Sequence, residues 1–558
     1  MPIQTPWASS MGEVPMQITP FDGTMYEAVR TAAQKTPRYT ALCYMGRKIT
    51  YKKLMRSIDQ CADALRALGV GQGQRLTIAL PNCPQAVYML YGANKIGAVA
   101  NMVHPISAPK ELSFYLKESA SVLAITLDSF YDKMRDAIKE TGDIKLLITG
   151  GADCLSLHLR VGMKLTQKSK LPKGILRWHD FLKMGSAQND KPQKNREAVI
   201  LYSGGTTGTT KGILLSNENL NSLAAQVIAA NPMFVPGDRM LAAMPLFHGF
   251  GLGVCIHSIL ASSGVCVLVP RFTPKSYIRD LLRYRCNFVA GVPTLFGALL
   301  RLKNPENADF SFLKGVFSGG DSLSPELKKR LDAFLTAHHC PVQVREGYGT
   351  TETVTACCLT PPHKAKEASI GIPLPGNYIK IVRPGTQEEL PYGEEGEILL
   401  SGPTVMLGYM HHPEETAKTL QTHDDGRTWV YTGDLGVMDS EGFLYFKGRA
   451  KRMIVSSGYN IYPGQIENIL DAHAYVHRSC VIAVADDYKM QKVKAFVELM
   501  PNVPATEQTK ASILDHCREH IAKYAMPCEI ELRAELPKTL VGKVNYRALE
   551  EQEKEKEV

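Results

Sequence analysis

The chain reads as an α/β protein of two unequal domains. Three observations predict this. Short apolar runs of strand length alternate with helix-period segments, Gly and Pro punctuate the switches, and 558 residues exceed what one ordinary core organises. Strands that alternate with helices imply parallel sheets covered on both faces.

The elements follow in order. Thr50-Tyr51 opens a helix whose Leu54, Ile58, Ala62 and Leu65 keep helical spacing. Gly69–Gln74 turns into a strand from Arg75 to Leu80, and Pro84 begins a helix reaching Ile96. A short strand near Val99–Val103 comes next. Val122–Thr126 is then predicted as strand, Tyr131–Lys139 as helix and Lys145–Ile148 as strand. The alternation resumes with strand Cys286–Ala290, helix Pro293–Arg301 and strand Lys314–Ser318. The most apolar window, Leu252–Val269, contains His257 and is split by Ser262-Ser263-Gly264. It predicts a buried helix followed by a strand, not a membrane span. From about Glu367 the pattern becomes short strands with Pro/Gly turns, as in a small barrel or distorted sheet. Lys447–Lys451 then leads into a compact α/β unit, so the expected domains are residues 1–449 and 450–558. Glu551–Glu557 holds only Glu, Gln and Lys and is expected to fray.

Bulk composition narrows the function classes. The thirteen cysteines include no Cys-x-x-Cys pair, which argues against a zinc site or disulfide framework and for reduced thiols in the cytoplasm. Met1–Ile18 lacks a basic start followed by an apolar run, so no secretory signal is expected. Net charge is +9, and the excess lies before Ala450, because the remainder holds 15 Lys/Arg against 16 Asp/Glu. Part of that excess sits in Arg160–Lys183, where Lys164, Lys168, Lys170, Lys173 and Arg177 interleave with apolar residues. Two readings stay open: peripheral contact with the inner face of a membrane, and a solvated loop. No motif supports nucleic-acid binding. Oligomeric state is not readable.

The chemistry concentrates in Tyr202-Ser-Gly-Gly-Thr-Thr-Gly-Thr-Thr-Lys-Gly212. Glycines let the backbone turn and present N–H groups to an anion, the threonines add hydroxyl donors, and Lys211 adds a mobile charge. The common phosphate loop has Gly-Lys-Ser/Thr followed by a helix; here Ile213-Leu214-Leu215 continues as a strand. The predicted geometry is therefore strand, phosphate-wrapping loop, strand.

Four more segments follow: Glu346-Gly-Tyr-Gly-Thr-Thr-Glu352, Tyr431-Thr-Gly-Asp-Leu435, Gly448-Arg-Ala-Lys-Arg452 running to Ser457-Gly-Tyr-Asn-Ile-Tyr-Pro463, and Pro537-Lys-Thr-Leu-Val-Gly-Lys543. This ordered set resembles the acyl-adenylate-forming (AMP-dependent synthetase and ligase) superfamily, over nearly the whole chain. Gly291–Leu300, Val405–Tyr409, the Gly204-Gly205 pair and Ser457–Pro463 look closest to bacterial fatty-acid CoA ligases.

The resemblance implies a large N-terminal domain of two α/β sheets plus a small β-barrel, and a small mobile C-terminal domain with the active site between them. It also implies ATP, Mg²⁺ and coenzyme A. Thr206, Thr207 and Lys211 would hold the β- and γ-phosphates, Thr351 would donate to the α-phosphate, and Glu352 would partner Mg²⁺. Gly320, Asp321 and Gly347 would bind the nucleotide, with the Gly319–Ser322 backbone along the adenine. Tyr348 would stack beside the adenine or the acyl group, Asp434 would accept from the ribose hydroxyls, and Arg449 would also contact the nucleotide. Lys543 would bridge the substrate carboxylate and the α-phosphate. Lys451 would be the pivot, and Ser457, Gly458 and Tyr459 would meet the pantetheine arm. His248, Gly291, Phe296 and Gly319 are the expected acyl-pocket residues. Three positions depart from the family pattern: Asp321-Ser322 where Ala-Pro is usual, Gln465 for a glutamate, and Val541 for Ser/Thr.

Amino-acid-activating relatives place an aspartate where this chain has His248, so an amino-acid substrate is disfavoured. The implied reaction joins a medium- or long-chain fatty acid to coenzyme A through acyl-AMP. An aryl- or other acid-CoA ligase, an acyl-AMP ligase loading a carrier protein, and a non-enzymatic nucleotide-binding relative are the alternatives.

Overall fold

A computed structural model describes residues 5–155, 171–185, 196–203, 210–300, 308–456, 459–486, 490–539 and 543–556. Its large part holds two sheets dominated by parallel pairs. One has nine strands, with parallel neighbours from Val344–Tyr348 through Gly315–Ser318, Phe288–Gly291, Arg239–Ala242 and Val265–Leu268 to Thr40–Tyr44, and antiparallel pairs at both edges. The other has eight strands. Glu197–Ser203, Val99–Met102, Arg75–Ala79, Leu123–Leu127 and Lys145–Thr149 are parallel neighbours or share a parallel neighbour. Lys211–Ser216 returns antiparallel to Glu197–Ser203, which gives the expected strand–loop–strand geometry.

Local sequence explains the helices between these strands. Thr24 and Glu27 form a capping box that starts Met25–Lys35, and the Thr50 hydroxyl accepts from the Lys53 amide to start Tyr51–Ala67. Helix Pro84–Ile96 is buried on nearly every face, because it lies inside the core shared by the two sheets. The apolar window becomes a π-helical segment Phe250–His257, the short helix Ser258–Ala261 and the strand Val265–Leu268. A Cβ on Gly251 would stand 2.0 Å from the Pro245 carbonyl oxygen, so this wide turn requires glycine there. No helix among the described residues is long and apolar enough to cross a membrane.

The expected barrel is a five-stranded antiparallel sheet built on the long strand Thr428–Met438. Its partner Glu395–Ser401 shifts register between Glu397 and Leu399, which face Leu435 and Tyr431 respectively. Ile398 thus opposes three residues, Thr432, Gly433 and Asp434. This is a bulge, helped by Gly433 at φ +67°.

The C-terminal part has its own sheet and core. Met490–Leu499 pairs antiparallel with Val476–Asp486 and parallel with Glu529–Arg533, and Ile466, Leu470, Ile513 and Cys517 close over it. Here one expectation is corrected. Of the segment expected to fray, Glu551–Lys556 continues the helix Tyr546–Lys556, while Glu557 lies outside the described residues. The cause is tertiary. Lys494, 5% exposed at its side chain, holds Glu553 at 2.7 Å, Glu529 at 2.9 Å and Glu531 at 3.1 Å, and Lys556 reaches Glu531 at 3.1 Å. Of the basic stretch, residues 160–170 lie outside the described set; in its described part Trp178 and Phe181 are buried in the main core.

Lys494→Ala should destabilise the protein, because it removes the buried cation shared by three carboxylates and leaves Glu531 and Glu553 only the more exposed Lys556 and Arg533. Breaking a buried pair costs about 3 kcal/mol or more, and the partial exposure of Glu529 lowers that figure here. Urea unfolding followed in the full chain measures it; an unchanged midpoint would show that the cluster carries no load. Glu346 gives a pH dependence. It is 8% exposed, and burial pushes its carboxyl up to about 7. Between the unfolded value of about 4.3 and that value, the folded state holds a proton that the unfolded chain has lost. Stability should therefore fall as pH rises through this window, by at most about 1.4 kcal/mol per pH unit. Melting curves of ligand-free protein should show a steeper decline than those of Glu346→Gln.

Candidate active site

A cavity of about 1130 Å³ opens between the large part and the C-terminal part. Strand ends build its floor. Ser318 and Glu346 are register partners on adjacent parallel strands, so the glycines that follow them, Gly319-Gly320 and Gly347 and Gly349, come together at one sheet edge. A Cβ on Gly319 would lie 3.2 Å from the Gly347 carbonyl oxygen, and one on Gly349 would lie 1.7 Å from that of Thr355. Bare backbone here leaves room for a flat ring.

The bulge supplies the second wall. Asp434 is 1% exposed, its Oδ2 accepts from the Tyr348 hydroxyl at 2.6 Å, and Arg449 Nε stands 2.8 Å from Oδ1. No donor among the described residues points along a hydrogen bond to Oδ1, although Arg449 neutralises its charge. The Asp434 amide donates to Thr432 Oγ1 at 3.0 Å, and that hydroxyl donates to the Ile398 carbonyl at 2.7 Å, which locks the bulge. A buried carboxylate with lone pairs to spare fits a polyol such as a ribose.

The third wall is charged. Lys211 is 9% exposed and donates to Glu415 Oε2 at 2.8 Å, with its ammonium 4.9 Å from the centre of the Tyr409 ring. Lys211 and then Lys418 hold Glu415 down at about 2. Tyr409 donates to Glu352 Oε1 at 2.8 Å. One carboxylate beside a lysine suits Mg²⁺ on a polyphosphate, since that ion takes one or two protein carboxylates and draws its other ligands from phosphate and water.

Lys543 enters from the C-terminal part. Lys538 and Val544 form an antiparallel bridge, and the Thr539 amide donates to the Lys543 carbonyl at 2.7 Å, so the lysine sits at the mouth of a pinned hairpin. Its charge is felt at Asp434 and at His248. Burial, and then Lys543, lower the His248 imidazolium to about 4, so His248 is neutral near pH 7. The Phe250 amide donates to its Nδ1 at 3.3 Å. The same cavity is also lined by the apolar side chains of Val227, Phe247, Phe250, Val254, Phe317 and Leu327.

Lys211, His248, Gly319, Gly320, Asp321, Gly347, Tyr348, Thr351, Glu352, Asp434, Arg449, Lys451 and Lys543 all line this one cavity. Gly291 and Phe296 do not. Phe296 is 2% exposed in the core, and a Cβ on Gly291 would meet its ring at 3.0 Å; the same helix reaches the cavity through Pro293, Thr294 and Gly297 instead. Thr206, Thr207, Ser457 and Gly458 lie outside the described residues, and Tyr459 is described only as backbone of strand Tyr459–Ile461. Sequence reasoning missed Glu415 and the role of Tyr409. Both pairings span more than fifty residues and have no local signature.

Comparison with known proteins agrees with this geometry. The AMP-binding enzyme family matches residues 29–410, and the AMP-binding enzyme C-terminal domain matches residues 465–543. A long-chain-fatty-acid–CoA ligase of Bacillus subtilis is 32% identical over 577 residues, covering 100% of this chain and 99% of its own. A sulfoacetate–CoA ligase of Cupriavidus necator is 30% identical, covering 93% and 95%. Among solved structures, ATP-bound MatB from Rhodopseudomonas palustris superposes with a TM-score of 0.82 at 26% identity, covering 95% and 99% of the two chains. An anthranilate CoA ligase with bound anthranoyl-AMP gives 0.85 at 24% identity, covering 96% and 98%, and speaks for the fold alone. With both family domains matched in order and a relative aligned end to end, this chain belongs to the AMP-binding enzyme family.

Proposed function

We propose that this protein is an AMP-forming acid–CoA ligase acting on a medium- or long-chain fatty acid. The carrying observation is that Lys543 shares one cavity with Lys211, Glu352 and Asp434, lined also by apolar side chains and a neutral histidine. Relatives named long-chain-fatty-acid–CoA ligases, aligned over nearly the whole chain, support the same substrate.

In the first half-reaction a carboxylate oxygen attacks the α-phosphorus of ATP, the bond to the bridging oxygen breaks, and pyrophosphate leaves. Two anions must meet, so fixed positive charge is the main requirement. Lys543, which lines the cavity, is assigned to the meeting of carboxylate and α-phosphate, and Lys211 to the phosphates that depart, for which it would give up Glu415. Thr206, Thr207 and Thr351 add hydroxyl donors. Mg²⁺ would offset phosphate charge when bound, and Glu352, which accepts from Tyr409, would be the residue that holds it. Gly320, Asp321, Gly347 and Tyr348 enclose the adenine, and Asp434 and Arg449 the ribose. In the second half-reaction the coenzyme A thiol attacks the acyl carbon, the acyl–phosphate bond breaks, and AMP leaves. Ser457, Gly458 and Tyr459 are assigned to the pantetheine arm.

The two steps require different C-terminal orientations, and the chain offers one place to turn. Arg449 is tied to the large part through Asp434 and the Thr432 carbonyl. Arg452 is tied to the C-terminal part through Glu467 at 2.7 Å and the Val481 carbonyl. Between them lie Ala450 and Lys451, and Lys451 is exposed. This supports a boundary at residues 449 and 450 and a pivot at Lys451. Cytoplasmic location, and peripheral membrane contact through Arg160–Lys183, complete the proposal; Lys173, Arg177 and Lys183 are exposed in the described part of that stretch.

A pyrophosphate-release screen over short to long fatty acids, benzoates and amino acids tests the substrate; turnover confined to benzoates or sulfonated short acids would replace the fatty-acid reading. Lys543→Ala should lower acyl-adenylate formation about 10²–10³-fold while sparing transfer from synthetic acyl-adenylate to coenzyme A. Lys451→Pro should reverse that pattern by fixing φ at the pivot. Equal loss of both steps in both variants, with normal melting curves, would exclude rotation there. Glu352→Gln should raise the Mg²⁺ concentration needed for half-maximal adenylation, and an unchanged titration would remove Glu352 from the metal.

A further inference from the structure

The Tyr348 hydroxyl is unexplained by the stacking role assigned to its ring. It lies at the end of strand Val344–Tyr348 in the nine-stranded sheet, whereas the oxygen it binds belongs to Asp434 in the antiparallel sheet. At 2.6 Å this is a short, charge-assisted contact to a carboxylate that is almost fully buried. A carboxylate offers about four lone-pair sites. Tyr348 takes one on Oδ2, and Arg449 balances the charge beside Oδ1, where no donor is aligned for a hydrogen bond among the described residues. The backbone of Asp434 is already fixed by Thr432. Rotation of the carboxylate about its own axis would break the Tyr348 hydrogen bond, the one side-chain hydrogen bond to this carboxylate among the described contacts, while Arg449 stands beside the other oxygen. Burial and the neighbouring Asp434 raise the Tyr348 phenol well above its usual value, so it remains a donor across the working pH range.

We propose that the Tyr348 hydroxyl is a positioning group for ribose recognition: it holds the Asp434 carboxylate in the plane that offers its spare lone pairs to two vicinal hydroxyls, and so sets the preference for ribonucleotides over deoxyribonucleotides. This rests on the assignment of Asp434 to the ribose. Tyr348 acts through Asp434, and its ring remains free to face the adenine.

The test is equilibrium binding of AMP, 2′-deoxy-AMP and 3′-deoxy-AMP to the full chain by calorimetry, with no turnover required. Tyr348→Phe keeps the ring and removes one oxygen. It should weaken AMP about ten- to a hundredfold, the range set by one hydrogen bond to a charged group, while changing the deoxy analogues much less, so that discrimination shrinks. Asp434→Asn should also shrink it. Equal weakening of all three ligands by Tyr348→Phe would show that the hydroxyl only packs the site, and no weakening would show that Asp434 needs no help; either overturns the proposal and leaves the ribose assignment intact. Full discrimination retained by Asp434→Asn would instead overturn the ribose assignment, and the proposal with it. Thermal melts of both variants separate these outcomes from unfolding.

Discussion

Burying the Asp434 carboxylate is the constraint on which the site is organised. An unpaired charge in such a place costs several kcal/mol, and the group would sooner take up a proton. The fold avoids this by bringing three elements to one point. Tyr348 comes from the end of a parallel strand, Arg449 from the last residue of strand Leu444–Arg449, and the bulge at Thr432–Asp434 from the antiparallel sheet. Burial still pulls the Asp434 carboxyl upward, and Arg449 and the Tyr348 bond oppose it. Asp434 and Arg449 are cross-strand partners in the antiparallel sheet, and the Tyr348 bond links that pair to the end of the parallel strand.

A similar logic governs Lys211. An ammonium that is nearly enclosed needs a counter-charge, and Glu415 provides one from helix Pro413–Thr419. The Glu415 side chain is 42% exposed, so this pair is worth little as stability. Its value is that an arriving polyphosphate replaces a weak partner instead of an empty pocket. Tyr409 links the two charges, because its ring lies under Lys211 while its hydroxyl turns Glu352. A single residue on the two-residue strand Gly408–Tyr409 thus coordinates the cation and the anion of the phosphate end.

The regular alternation of strands and helices was legible because periodicity and caps are local properties. Thr50, Pro84 and the Gly/Thr turn each mark a boundary within a residue or two of where it falls. The misses share one cause. The Glu/Lys composition of Glu551–Glu557 contains no hint that Lys494 waits across the sheet, and ion pairing there overrides the tendency of a terminus to fray. The burial of Trp178 and Phe181 within the basic stretch was not legible, because sequence does not show which face is inside. Gly291 and Phe296 were placed in the acyl pocket from a motif, yet they pack against each other behind it. The site residues were legible where a motif keeps several functional groups adjacent, as in Gly347–Glu352. Glu415 and Tyr409 were not, since each acts through one long-range contact.

The same reasoning bears on how the two parts move. Rotation between rigid bodies concentrates in the residues that neither body holds. Arg449 is held by the large part and Arg452 by the C-terminal part, where its guanidinium also lies 4.5 Å from the Tyr546 ring centre. Both anchors are ion pairs backed by hydrogen bonds to main-chain carbonyls, so twisting either one would expose a charge or orphan an acceptor. Ala450 and Lys451 carry no such anchor in their side chains as far as the described contacts go, and Lys451 already stands in solvent. Torsion there costs less than at either neighbour. The arginine on the large-part side is also the one that balances the buried Asp434 carboxylate, so loosening that anchor would leave a buried charge uncompensated.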